Sequence, residues 1–543
     1  MKIDKNRLIS LLLALFLVNG LVFLYYQNTV NKTGDVFVYP FDDTYIHLAI
    51  AKNTAFYNNW GVVRDEFCSS SSAPLFTATI AFFMKLFGDN EMLPLYINLF
   101  FGNLILFALY VFLKNPLWFL ASVLFLCTPV LLCSQILSGM EHTMHIFVIL
   151  AAFMLFLKLN DSEFRNMRFC VLFLLVISLL CLTRYESMFF ILPILFILFV
   201  NKQYVLLSLT FVAGFLPVLL FGLWSMDNGG FFFPNSLLAK GGIIIGGGVG
   251  WKGENANIII YYAEKIYKLI TTPRYMGPIA IMTIIIIKYF IANRLPININ
   301  GFTILLKRYA VVFIPLTTLF LHALFSIIDE GLWFYRYEAY LLSLLYLALI
   351  ILVRENGAGI DRNGIVAFVA IFVIFTVPSV TERMLKTHPV LLQAGKNIHD
   401  QQIQMAKFLR AHYNDAMVMA NDIGAITYYT NIKLKDLVGL GSSDVLTARR
   451  FKRQNISTII LENKPYNLII IYDSWFGIYS ETDYKKYGWT KIGELYIENN
   501  VICGGNPVSF YTSDETMIED MKKNMISFFS GNAPKDITVY VLQ

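Results

Sequence analysis

Residues 39–75 read YPFDDTYIHLAIAKNTAFYNNWGVVRDEFCSSSSAPL and follow directly on a strongly apolar first segment. Two adjacent carboxylates, Asp42 and Asp43, stand just past the end of that apolar run. An acidic side chain at the centre of a membrane helix costs about 2.5 to 3.5 kcal/mol on insertion scales, so the pair belongs at the water interface. The stretch is too polar to cross a membrane and too aromatic for an ordinary linker. Tyr39, Phe41, Tyr45, Phe56, Tyr57 and Trp60 supply rings of the kind that settle at the headgroup level. It therefore reads as a carboxylate-bearing loop packed on the membrane surface.

The rest of the composition agrees. Of 543 residues, 57% are hydrophobic and 15% charged, against about 45–50% and about 25% in soluble proteins. The fold class is a polytopic α-helical membrane protein. The net charge of +6 is small for this length, and the basic residues lie mostly in short loops between apolar segments. That pattern sets topology and argues against nucleic-acid binding. Among six cysteines there is no CxxC or Cys/His spacing of a zinc site. Lys2, Lys5 and Arg7 precede an apolar run without a small-residue cleavage site, which reads as a retained first helix.

About eleven apolar runs are long enough to span: 8–25, 94–113, 117–132, 143–159, 169–182, 188–200, 204–224, 275–291, 309–328, 339–353 and 365–380. A further run, Pro74 to Phe87, contains Lys85, starts with proline and by its length reads as an interfacial helix. With the N-terminus cytoplasmic and that run not crossing, Lys114, the runs Lys158 to Arg168, Arg294 to Arg308 and Arg354 to Arg362, and Lys202 all face the cytoplasm. The same parity puts everything after about Thr381 outside. Residues 1–380 are thus expected to form a transmembrane catalytic domain, with a first outer loop over 27–93. Residues 381–543, with the amphipathic stretch Gln401 to Tyr413 and the strand-like runs Ala416 to Ala420 and Asn467 to Tyr472, are expected to form a small extracytoplasmic α/β domain.

The outer side then receives Asp42 and Asp43, SGMEH (138–142), TRYES (183–187), FFPNSLLAKGG (232–242) and DEGLWFYRYE (329–338). Every segment with unusual chemistry opens to one face, which implies one outward-facing cavity. The run Gly241 to Gly250 lacks the GK[ST] ending of a phosphate loop and reads as a mobile segment.

The motif order DDTYIHLAIAKN, SSSSAPL, SGMEH, TRYES and PNSLLAK resembles the GT-C membrane glycosyltransferases, nearest to the DDAYI-type branch that contains the mycobacterial terminal arabinofuranosyltransferases. NDIGAITYYTNIKLKDLVGL (421–440) adds to the likeness. The resemblance implies a GT-C fold of about eleven spanning helices plus interfacial helices in the first outer loop. It also implies inverting transfer of a sugar from a polyprenyl-phosphate donor to an envelope glycan or lipid acceptor, on the outer face of a bacterial inner membrane. Relatives that use aminoarabinose carry a lysine before the second span, where this chain has only Ser69 to Ser72.

That chemistry needs a base for the acceptor hydroxyl and cations for the departing phosphate. Asp42 matches the family's catalytic aspartate, and Asp43 is left to orient the acceptor or bind a divalent metal, magnesium or manganese. The alternative is that both cap the helix beginning near Thr44. Arg184, Lys240 and Arg336 are basic on the outer face, against the topological rule, and a lipid phosphate would explain them. Pairing with Glu186 is the alternative for Arg184, and anchoring among Trp333, Tyr335 and Tyr337 for Arg336. Glu141 and His142 stand where this fold class carries a second acidic element. His47, about one turn after Asp43, would contact phosphate or acceptor or else be structural. The rival classes are a transporter or lipid flippase of envelope precursors, which would place ionisable groups near mid-membrane, and a noncatalytic assembly protein.

Overall fold

The computed structural model describes residues 4–34, 36–240, 258–292, 299–326, 333–356, 362–462, 466–532, 534 and 536–542. The glycine-rich run 241–250 and residues 329–332 of the DEGLWFYRYE segment lie outside the described residues.

The helices follow the apolar runs. Each of the eleven expected runs overlaps a helix, though the run 117–132 outlasts helix Pro116–Cys127 and the end of 309–328 lies outside the described residues; among the described residues seven helices are long and apolar enough to cross a membrane. Pro116–Cys127, Met167–Thr183, Tyr185–Val200 and Ala310–Phe325 are apolar but shorter. The chain is a multi-pass membrane protein. Helix Lys5–Lys32 exposes Leu12, Leu13, Phe16 and Phe23, a surface that water would penalise and hydrocarbon tolerates.

The chain divides into two compact units. The first comprises Met1–Leu24, Leu95–Leu220 and Asn255–His388. Its centre is made by helices His142–Asp161 and Ala339–Asn356, which are buried along most of their length, while helices such as Tyr204–Asp227 expose most of theirs. Helix-capping residues end these elements in the expected way. Asn115 and Asn166 each accept from two backbone N–H groups at the start of the helices that follow them.

The second unit comprises Tyr25–Pro94, Phe221–Glu254 and Pro389–Gln543. Helix Asp42–Tyr57 packs on helix Pro74–Phe87, whose inner face buries Phe76, Thr77, Ile80 and Met84 while Phe82, Leu86 and Phe87 are exposed. That two-faced pattern suits a helix lying in an interface. The same unit holds a six-stranded sheet in the order β2-β1-β3-β5-β4-β6. Its strands are β1 (Met417–Ala420), β2 (Lys433–Asp436), β3 (Leu468–Ile471), β4 (Thr490–Ile497), β5 (Val508–Thr512) and β6 (Ile537–Val541). β1 runs parallel to β2 and β3, and the remaining pairings are antiparallel. β3 reads LIII and is buried throughout, as a central strand covered on both faces requires. β6, at the edge, alternates between half-buried and exposed residues.

After β2 the chain turns on Asp436, whose carboxylate accepts from the N–H groups of Val438 (2.8 Å) and Gly441 (2.7 Å). The turn delivers the loop that meets the first segment of the unit: Ser70 Oγ donates to Leu440 O at 2.7 Å. Asp436→Ala leaves two N–H groups without their acceptor, at about 1–3 kcal/mol each. Scanning fluorimetry of the purified protein is expected to read a clearly lower thermal midpoint for Asp436→Ala than for the wild type.

Candidate functional site

In the second unit the residue before the acidic pair, Phe41, is the N-cap of helix Asp42–Tyr57 and makes no side-chain cap bond. Asp42 and Asp43 occupy the first turn, so neither is the cap of its own helix. Asp42 instead reaches the start of the short helix Gly424–Tyr429. Its two oxygens accept from Gly424 N at 2.6 Å and Ala425 N at 2.8 Å. A Cβ on Gly424 would run into the Asp42 backbone carbonyl, which is why this position takes glycine. Asp422, two residues earlier, accepts from Tyr472 Oη at 2.6 Å and from Gln402 Nε2 at 2.8 Å.

These carboxylates crowd one another. Burial, then the Asp422 charge, hold the Asp42 carboxyl up at about 7 despite its two backbone donors, and Asp43 adds to the effect. Burial and Asp43 raise Asp422 to about 6 against the pull of its Tyr472 hydrogen bond. The pair titrates as a coupled system, with both members above the usual carboxylate range.

His47 is buried, with Nδ1 2.7 Å from Thr77 Oγ1 and its ring edge-on to Phe76. That contact joins helix Asp42–Tyr57 to helix Pro74–Phe87. The serine run and PNSLLAK also meet: Asn235 N donates to Ser69 O at 2.7 Å, and Asn235 Nδ2 donates to Ser443 Oγ at 3.2 Å. Lys240 ends helix Asn235–Lys240, and its side chain lies outside the described residues. All six cysteines are free. Among the described residues no group of three or more His, Cys, Asp or Glu side chains is arranged to hold a metal ion.

In the first unit five of the expected residues come together. Glu141 precedes helix His142–Asp161 and Arg184 follows helix Met167–Thr183 in an extended conformation. Arg184 forks onto Glu186, with Nη2 to Oε1 at 2.7 Å and Nε to Oε2 at 3.2 Å, and its Nη1 donates to Glu141. The Tyr337 ring gathers the cluster, lying 5.3 Å from the Arg184 guanidinium and 5.1 Å from that of Arg336, with the His142 ring edge-on. Two carboxylates hold Arg184, so its charge is matched inside the protein.

A second buried cluster was read only in part: Tyr335 was among the expected substrate-binding residues and Glu338 ends the DEGLWFYRYE segment, while Arg274 and Arg383 went unread. Glu338 accepts from Arg274 (Nη2 at 2.9 Å), from Tyr275 Oη and from Arg383 Nη1. Tyr335 lies beneath it, 3.8 Å from the Arg383 guanidinium. Arg383 is 1% exposed, and among the described residues its Nε and Nη2 have no hydrogen-bond partner. Among the described residues two guanidinium groups face one carboxylate, which leaves a net positive charge. The available signal was position: Arg274 opens the helix Pro273–Ala292 and Arg383 follows the last apolar run, the same placement that singled out Arg184.

Comparison with known proteins follows this geometry. ArnT from Cupriavidus metallidurans in the apo state superposes with a TM-score of 0.50 at 11% identity, over 92% of this chain and 99% of that one. The chain shares its fold with ArnT. ArnT bound to undecaprenyl phosphate gives 0.49 at 10% identity over 92% and 98% of the two chains, and the Archaeoglobus fulgidus oligosaccharyltransferase in its apo form gives 0.49 at 12% over 98% and 76%. A sequence family described as a domain of unknown function (DUF8728) matches residues 396–511, the part that carries Asp422, Gly424 and Tyr472. No curated protein matches the sequence.

The raised carboxyls have a consequence for stability. Between the ordinary value of 3.8 and about 7, the folded chain keeps on Asp42 a proton that the unfolded chain has released. Stability contributed at this site is therefore greatest at low pH, falls as pH rises through that window, and levels off above it. Unfolding midpoints measured across the window should fall less steeply for Asp42→Asn than for the wild type; equal slopes would count against the raised Asp42 carboxyl.

Proposed function

We propose that this chain is an inverting membrane glycosyltransferase that moves a pentose or hexose from a polyprenyl-phosphate donor to an envelope glycan or lipid acceptor. The reading places it in a bacterial inner membrane, with the N-terminus cytoplasmic and residues 381–543 outside. The observation that carries it is the buried Arg274–Glu338–Arg383 cluster. A fully buried guanidinium with two empty donors costs several kcal/mol unless an anion completes it, and a lipid phosphate has the charge and oxygens to do so. The ArnT fold and the order of the sequence motifs support the same reading.

The division of labour follows from the chemistry of each group. Asp42 takes the proton from an acceptor hydroxyl as that oxygen attacks the anomeric carbon. The bond from that carbon to the phosphate oxygen breaks on the opposite face, its electron pair leaves with the phosphate, and the configuration inverts. Arg274 and Arg383 hold the phosphate as its charge grows, with Glu338 and Tyr335 fixing the two guanidinium planes. Asp43 orients the acceptor or holds a divalent ion, magnesium or manganese. Glu141, His142, Arg184, Glu186 and Arg336 shape the donor side around Tyr337. A carboxylate that ionises at about 7 is a strong base near neutral pH.

The test complements a deletion strain with wild type, Asp42→Asn or Arg383→Ala at matched membrane levels and compares envelope glycans by mass spectrometry. The wild type is expected to restore one sugar that neither variant restores; a full profile from Asp42→Asn would sink the base assignment. With purified protein, loss of the positioned base is expected to cost about 10² to 10⁴ in rate. The wild-type rate should climb with pH and level off above about 7, as Asp42 ionises.

A further inference from the structure

The second unit contains a cleft of about 760 Å³ that the transfer chemistry does not use. Its walls come from the far half of helix Asp42–Tyr57, the turn after helix Pro74–Phe87, and the residues after helix Gly424–Tyr429 and near Arg410. Its volume falls within the range of about 300–1,000 Å³ found for ligand sites, and at about 30 Å³ per water it has room for on the order of 25 waters. That space suits more than one sugar ring.

The lining is polar throughout. Phe87 is the one purely apolar side chain among the described lining residues. Part of the charge is already satisfied within the wall. Lys52 pairs with Asp89 at 2.9 Å, Tyr428 Oη donates to Asp89 at 2.8 Å, and Tyr429 Oη donates to Glu91. Two cations stand apart from this network. The Arg64 guanidinium lies 4.4 Å over the Tyr57 ring, and Arg410 is exposed; neither forms an ion pair among the described residues. Asn90, Asn414 and Asn431 add carboxamides that both donate and accept.

A ligand that completes this surface needs an anionic group for the two guanidinium ions and hydroxyls for the carboxamides and carboxylates. A phosphate without hydroxyls would leave the second set unused, a neutral sugar would leave the first, and an apolar peptide has no surface here to bury. We propose that this cleft binds a saccharide bearing carboxylate groups. Lys52 stands ten positions after Asp42 on one helix, which is about 15 Å along its axis, and Tyr428 is four residues after Gly424, whose N–H binds Asp42. A saccharide in the cleft is thus held at a set distance from Asp42 along the same helix. The acceptor role rests on the transferase reading above; the binding itself does not.

The test uses the full chain in nanodiscs, with tetragalacturonate and maltotetraose as probes in calorimetric titrations at low salt. Arg410 is exposed and Arg64 half-buried, so R410A and the double variant R64A/R410A are expected to fold as the wild type does. Tetragalacturonate is expected to bind at least about tenfold more tightly than maltotetraose, the preference to shrink with added salt, and R64A/R410A to erase it. Equal binding of the two probes, no binding of either, or an unchanged preference in the double variant overturns the proposal. Release of sugar from the lipid-phosphate donor to water is assayed in parallel. R64A/R410A should keep that release and show a raised acceptor KM with kcat unchanged. Absence of donor turnover in the wild type, with the saccharide preference intact, would remove the transferase reading and leave the binding site standing.

Discussion

The carboxylate of Asp42 takes both of its hydrogen bonds from peptide N–H groups that are 382 and 383 positions away in the chain. Because the donors belong to the main chain, no side-chain change at Ala425 short of proline removes them, and only the absence of a side chain at Gly424 lets them approach so closely. The contact fixes the direction of Asp42 and seats it beside Asp422. It also binds the first loop of the chain to the region that matches a domain of unknown function.

The two buried ion clusters of the first unit have different balances. Arg184 is held by two carboxylates, Glu141 and Glu186, and shares the Tyr337 ring with a second guanidinium, that of Arg336. Around Glu338 there are two guanidinium groups for one carboxylate, and the surplus falls on Arg383. A buried pair is costly to assemble and gains stability only when every donor is used. Arg184 meets that condition, with a carboxylate for Nε, Nη1 and Nη2 alike. The Glu338 cluster leaves donors over, as a site that receives an anion would.

Much of this was legible in the sequence, and the boundary is physical. Hydrophobic runs located the helices because each must hide its backbone from lipid within one segment, so length and composition suffice. The strand-like runs at 416–420 and 467–472 announced β1 and β3 because central strands are apolar without interruption. The later strands β4, β5 and β6 carry Lys491, Glu494, Ser509 and Thr538 and went unread, since their identity comes from pairing across the sheet. Asp42 and Arg184 stood out by local chemistry. Asp422, Arg274 and Arg383 did not, because what marks them is a partner: Asp42 for the first, and for the other two a glutamate, Glu338, that lies 64 and 45 positions away. For Arg184 the sequence offered a lipid phosphate or Glu186 as partner; Glu141, 43 positions away, could not be read as a second one.

Helix Pro74–Phe87 presents Phe82, Leu86 and Phe87 outward and is bonded through Thr77 to His47 on the helix that begins with Asp42. Rings and aliphatic chains that prefer the oily side of the headgroups act as a float, and the histidine bond is the rod that links float to carboxylate. The level of Asp42 is then gauged by one neighbouring helix of 14 residues and not by its own sequence.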